Sequence, residues 1–273
     1  MIPLYFHKIG VIIKFVLRKF IIIFMEVRII KLYGRQLRNE LKFVIGQGEY
    51  TLLRSRANAI MSRDKNALED GSYRVTSLYF DDIYSTSYFQ KLESIQNRAK
   101  FRIRCYNGLD NIISLECKLK YDNYISKESV KLTIDQYKSI LAGDYDFALS
   151  SGNPLLLELY KQHTTKGLSP CVSVDYVREA FVCREGNVRL TFDKELSGSI
   201  SGLDILYGDV VYTSAMPSGL MVLELKYDDY LPAHIKAITS GLPLTLQPVS
   251  KFILCKNKQL EASHYGKNNR SAK

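Results

Sequence analysis

The chain has no tryptophan, and its 273 residues include only 7 prolines and 16 glycines. No collagenous, low-complexity or linker-dominated stretch is long enough to divide it. The five cysteines (Cys105, Cys117, Cys171, Cys183, Cys255) are an odd number, widely spaced and never in a C-x-x-C pair. They indicate neither a disulfide framework nor a zinc site, so no disulfide partner is expected and a reducing, cytoplasmic setting fits best. The four histidines (His7, His163, His234, His264) stand alone, without H-E-x-x-H spacing. Neither G-x-x-x-x-G-K-[ST] nor G-x-G-x-x-G occurs, and Gly46-Gln47-Gly48 reads only as a turn before a helix. Any bound phosphate must therefore be gripped by side chains.

What the chain does contain is 46% hydrophobic residues and 24% charged ones, enough to bury the core of one sizeable domain. The net charge of +10 sits mainly at the ends. Residues 1–35 carry seven basic groups against Glu26, and Lys267, Arg270 and Lys273 lie in the last stretch, which leaves +1 for residues 36–261. A body so nearly neutral is unsuited to coating nucleic acid, which needs many phosphate-neutralising side chains on an exposed face.

Ile9 to Met25 is apolar apart from Lys14, Arg18 and Lys19. A cation near a helix centre costs roughly 2.5 to 3.5 kcal/mol to insert, so a membrane span is not expected. Residues 1–35 are read as a basic, apolar extension, with Met25 as the start of the functional protein. The alternative is a basic amphipathic helix within residues 1–30 that touches anionic lipid peripherally. Residues 36–258 make the domain proper, and 259–273 a basic tail.

Four helices are signalled. Residues 47–63 place Tyr50, Leu53, Ala57, Ile60 and Met61 near a 3.6 period; 133–142 close on Gly143; 153–163 open with Asn153-Pro154; 232–240 open with Pro232 and stop at Gly241. Most of the remainder alternates with period two, so successive side chains take opposite faces of strands. Arg38, Glu40 and Lys42 share one face, as do Lys100, Arg102 and Arg104, and Glu116, Lys118 and Lys120. Tyr176 and Arg178, then Arg189, Thr191 and Asp193, then Glu224 and Lys226 repeat the pattern. An ordinary solvated sheet face would mix in more Thr, Ser and Gln. A sheet closed with these charged faces inward gives a polar-lined barrel, and α+β with a closed eight-stranded antiparallel barrel and helices packed outside is the expected class. Such a lumen would collect anions: Arg and Lys orient phosphates, while carboxylates hold a divalent metal.

The segments R-N-E-L-K-F (38–43), S-L-Y-F-D-D (77–82), R-A-K-F-R-I-R-C-Y (98–106), L-E-C-K-L-K (115–120), Y-V-R-E-A-F (176–181), V-R-L-T-F-D (188–193), L-E-L-K-Y (223–227) and V-S-K-F (249–252) resemble, in that order, the vacuolar transporter chaperone (VTC) domain. That family belongs to the triphosphate tunnel metalloenzymes, whose characterised VTC members are polyphosphate polymerases. The resemblance implies ATP and polyphosphate as partners, Mn²⁺ or Mg²⁺ as cofactor, and transfer of the γ-phosphate to a growing chain. By matched motif it implies catalytic phosphate contacts from Lys42, Arg102, Arg104, Arg178 and Arg189. Lys118, Lys127, Tyr176, Lys226, Ser250 and Lys251 would bind substrate, and Glu224, with Glu40 and Glu116, the metal. The tunnel-mouth K-x-S-K pattern appears as Pro248-Val249-Ser250-Lys251, one cation short. Two other functions use the same lumen: a metal-dependent tri- or polyphosphate hydrolase, and a non-catalytic polyanion-binding module.

Overall fold

The computed structural model describes residues 38–121 and 124–268. The readings for residues 1–35 and for 269–273 lie outside them.

The alternating segments form β1 (Asn39–Ile45), β2 (Ser62–Arg63), β3 (Ser72–Asp81), β4 (Arg98–Tyr106), β5 (Leu109–Tyr121), β6 (Tyr124–Lys131), β7 (Ser169–Cys183), β8 (Val188–Ser201), β9 (Val211–Ser214) and β10 (Met221–Tyr227). All pair antiparallel, along the path β1-β10-β8-β7-β3-β4-β5-β6, with β2 attached to β7 and β9 to β8. The helices are α1 (Gln47–Ile60), α2 (Thr86–Leu92), α3 (Ile134–Ala142), α4 (Phe147–Ser150), α5 (Pro154–Lys166), α6 (Ala233–Thr239) and α7 (Lys251–Asn268). Local chemistry sets their ends. Thr133 caps α3 by accepting from the Gln136 amide, and Gly143 closes it at φ 81°. Asn153 caps α5, which has Pro154 in its first turn.

Two apolar clusters cover the outer face. Leu53 and Ala57 of α1 and Ile235 and Ile238 of α6 pack on Phe43, Leu190, Phe192, Leu223 and Leu225. Tyr137 and Ile140 of α3 and Leu155, Leu156 and Leu159 of α5 pack on Leu78, Ile103 and Leu115. Burial of each of the Leu, Ile and Phe side chains stabilises by about 1.5 to 3 kcal/mol, and together they commit the opposite, charged faces to the concave side.

Two features differ from the expected barrel. The sheet is curled but open: among the described residues β1 and β6 end the path and share no backbone pairing. Part of β1's free edge is already taken by the segment after α6, where the Gln247 amide donates to the Lys42 carbonyl at 3.0 Å and Leu246 bridges Phe43. Not every helix is outside, either. Helix α7 lies on the concave face, its Phe252 and Cys255 packed on Tyr73, Val75, Val172, Val174 and Leu196. It continues past residue 258 to Asn268. Among the described residues no helix is long and apolar enough to cross a membrane.

Candidate functional site

The concave face encloses a cavity of about 470 Å³. Strand parity places most of its lining: Glu40 and Lys42 from β1, Arg102 and Arg104 from β4, Lys118 from β5, Tyr176 and Arg178 from β7, Glu224 and Lys226 from β10, with Ser250 and Lys251 where α7 begins. Eleven of the sequence-predicted residues thus come together. Eleven Lys and Arg side chains and only two carboxylates, Glu40 and Glu224, line the space.

Its inner part is a lattice of paired charges. Lys42 Nζ lies 3.1 Å from Glu40 Oε2 and 3.6 Å from Glu224 Oε1. Lys226 Nζ lies 3.2 Å from Glu224 Oε1 and 3.4 Å from Glu40 Oε1. Arg178 grips Asp193 in bidentate fashion, Nε donating to Oδ1 at 2.6 Å and Nη2 to Oδ2 at 2.8 Å, while Lys251 Nζ reaches the same Oδ2 at 2.6 Å. The Tyr176 ring lies under both cations, 5.2 Å from Arg178 Cζ and 5.1 Å from Lys251 Nζ. Arg102 Nε donates to Glu116 Oε2 at 2.7 Å and Nη1 to Tyr79 Oη at 2.9 Å; Arg104 Nε donates to Ser77 Oγ at 3.1 Å.

These neighbours fix the charge states. Burial disfavours ionised Glu224, but Lys226, Lys42 and Lys251 outweigh it and hold the carboxyl well below its usual range. Burial likewise opposes charge on Glu116 and is overcome by Arg102 and Arg104. Lys42 moves up despite its burial because Glu224 and Glu40 face it. Lys118 moves the other way, to about 7, through burial and the charge of Lys42. A lattice of this kind adds little net stability, since desolvation offsets most of the attraction. What it supplies is an array of cations held in fixed positions by carboxylates.

Three expected residues stand apart from the lining. Arg189 ion-pairs with Asp64 and donates from Nη2 to Tyr73 Oη at 2.7 Å. Lys127 donates to Glu116 Oε1 at 2.7 Å, so both oxygens of Glu116 are engaged by cations and this residue sits behind Arg102 as an anchor. Glu40 and Glu224 are the better pair for a divalent ion: they are neighbours close enough to repel each other and open onto the cavity. Among the described residues no cluster of three or more Asp, Glu, His or Cys side chains is placed to hold a metal. One or two carboxylates with substrate phosphates completing the shell is the arrangement Mg²⁺ ordinarily takes, and the donor set fits it.

The sequence reading put Lys100, Lys120 and Asp193 on the charged strand faces without assigning them a role, and it assigned none to Tyr79, Lys91, Arg98 and Phe252 either. Strand parity could also have placed Tyr79 and Arg98. Lys91 rides on α2 and Phe252 on α7, two helices that had no sequence signal of their own.

Fold and site together define an α+β domain whose curled antiparallel sheet presents a cationic cavity suited to phosphate anions. The family model of the VTC domain matches residues 37–258, and the chain belongs to that family. No curated protein matches it. Among solved structures, the PH1819 protein of Pyrococcus horikoshii OT3 is similar at 14% identity and a TM-score of 0.43, over 81% of this chain and 99% of that one. A candidate adenylate cyclase of Bacillus halodurans is similar at 12% identity and a TM-score of 0.48, over 80% of this chain and 95% of that one.

Proposed function

We propose that the protein is an ATP-dependent polyphosphate polymerase of the triphosphate tunnel type. The observation that carries this reading is the composition of the cavity wall, eleven cations against two carboxylates around a space of about 470 Å³. A wall of that charge suits a substrate made of phosphates along most of its length.

In this reading Lys42, Arg102, Arg104, Arg178 and Lys251 hold the triphosphate of ATP, with Tyr176 stiffening the last two. Lys118, paired with Glu40, and Lys226, shared between Glu40 and Glu224, adjust to the incoming charge. A terminal oxygen of the acceptor chain attacks the γ-phosphorus, a new P–O bond forms, the bond to the β–γ bridging oxygen breaks, and ADP leaves. Charge builds on the equatorial and leaving oxygens, and fixed Arg and Lys donors aimed there lower the barrier. A divalent ion, when bound beside Glu40 and Glu224, would neutralise phosphate oxygens.

Incubation with ATP and Mn²⁺, products resolved on a gel, tests the proposal. Polyphosphate ladders are expected. Orthophosphate without ladders would make the protein a hydrolase on the same site, and intact ATP a binding module.

A further inference from the structure

The cavity wall is electrically divided. Its inner cations are all matched to Glu40, Glu116, Asp193 or Glu224: besides the pairs described above, Arg104 Nη1 lies 3.7 Å from Glu116 Oε2 and Lys118 Nζ 3.0 Å from Glu40 Oε2. Lys91 of α2, Arg98 and Lys100 of β4 and Lys120 of β5 line the same cavity, and among the described residues none of the four lies in ion-pair contact with a carboxylate. Asp81, whose charge reaches Lys100, is committed to the amides of Asp82, Ser87 and Tyr88.

The sheet register makes this arrangement costly. Arg98 stands directly opposite Lys120, and Lys100 directly opposite Lys118. Like charges in facing positions destabilise a strand pair. Relief by splaying into water is denied to Lys100, whose Nζ is buried without a hydrogen-bond partner among the described residues and rests 4.3 Å from the centre of the Phe252 ring. Burial, with Arg98 and Lys91 adding to it, pushes this ammonium down to about 7. A buried donor without an acceptor is costly, and a bound anion would supply the missing acceptor.

We propose that Lys91, Arg98, Lys100 and Lys120 form a second anion subsite, which holds the end of the acceptor polyphosphate while the inner lattice holds the triphosphate of ATP. Its naming as an acceptor site rests on the polymerase reading; the existence of a second subsite does not. A hydrolase needs one phosphate site and a water, whereas a polymerase must hold two polyanions side by side. Four uncompensated cations next to a balanced inner site supply that second place.

The test is calorimetric titration of inorganic tripolyphosphate into full-chain protein already saturated with AMP-PNP. A second binding event is expected in the wild type. In Lys100→Gln/Lys120→Gln it should weaken at least about twentyfold, while AMP-PNP affinity changes less than about fivefold, because removed phosphate contacts cost more than distant screened charge. The variant Lys91→Gln/Arg98→Gln repeats the measurement should the first pair fail to fold. No second event in the wild type, or equal losses for both ligands, would overturn the subsite. A second event in a protein that makes no polymer from ATP would overturn the acceptor assignment through the polymerase reading. Polymer without a second event would overturn the subsite alone.

Discussion

Lys118 on β5 and Glu40 on β1 meet with Nζ 3.0 Å from Oε2, although their strands share no backbone hydrogen bond. The open sheet is thus drawn together at this level by charge. Glu40 also neutralises Lys42 and Lys226. Glu40→Gln should therefore raise the positive potential of the lumen and tighten metal-free tripolyphosphate binding by about fivefold or more. Calorimetry without metal checks this; weaker binding would show that Glu40 serves chiefly to hold the cations in position.

Glu224 is the clearest candidate to share a metal with substrate. Glu224→Gln should increase the Mn²⁺ concentration needed for half-maximal activity by about tenfold or more at fixed ATP. A Mn²⁺ titration of wild type and variant decides. An unchanged metal requirement with tighter metal-free ATP binding would make Glu224 a charge neutraliser only.

Arg102→Ala and Arg104→Ala should each lower activity roughly 10²- to 10³-fold, the scale of a lost transition-state contact. The pairing of Arg102 with buried Glu116 adds a structural cost of about 1 to 3 kcal/mol to Arg102→Ala. Denaturant unfolding should show that cost shrinking in a Glu116→Gln background, since no buried carboxylate is then left short of a partner.

Gly198 on β8 is a point of close approach between α7 and the concave sheet: a Cβ there would stand 2.5 Å from Cys255 Cβ and 2.8 Å from its Cα. Gly198→Ala must push the helix away, at a cost of about 1 to 3 kcal/mol. A fall in melting temperature of several degrees is expected. An unchanged melting temperature would mean that α7 does not pack as described.

Lys100 gives the protein a pH signature. Its folded value of about 7 lies below the ordinary 10.5, so between these values the unfolded chain binds more protons than the folded one. Stability from this group must rise with pH across about 7 to 10.5. Melting temperatures of the ligand-free protein should climb from pH 7 to 9, less steeply in Lys100→Met. Equal slopes would remove the buried, unpartnered ammonium from the account.

Much of this site is legible in strand parity. Lys42, Arg102, Arg104, Arg178 and Glu224 alternate with buried apolar neighbours, and only one face of each strand can go to the helices that cover the outside. The fates of Arg189 and Glu116 are not legible in that way. Parity puts both on the charged face, but Asp64, from the turn after β2, claims the first, and Lys127 across the hairpin claims the second. Helix α7 escaped for a different reason. Its face toward the sheet is narrow and its middle is polar (Lys256, Asn257, Lys258), so Phe252 and Cys255 gain their apolar surroundings only from the concave strands. The open seam, too, depends on which segment reaches the edge of β1 first, a competition between distant parts of the chain.

The central claim is that these cations transfer the γ-phosphate of ATP onto a polyphosphate chain. Parallel incubations with γ-labelled and α-labelled ATP, with Mn²⁺ and wild-type protein, test it most directly. The account predicts label in acid-precipitable polymer from the γ position only, matched by ADP carrying the α label, with both lost in Arg102→Ala. Label from the γ position found solely in orthophosphate, or retained in ATP, would contradict it.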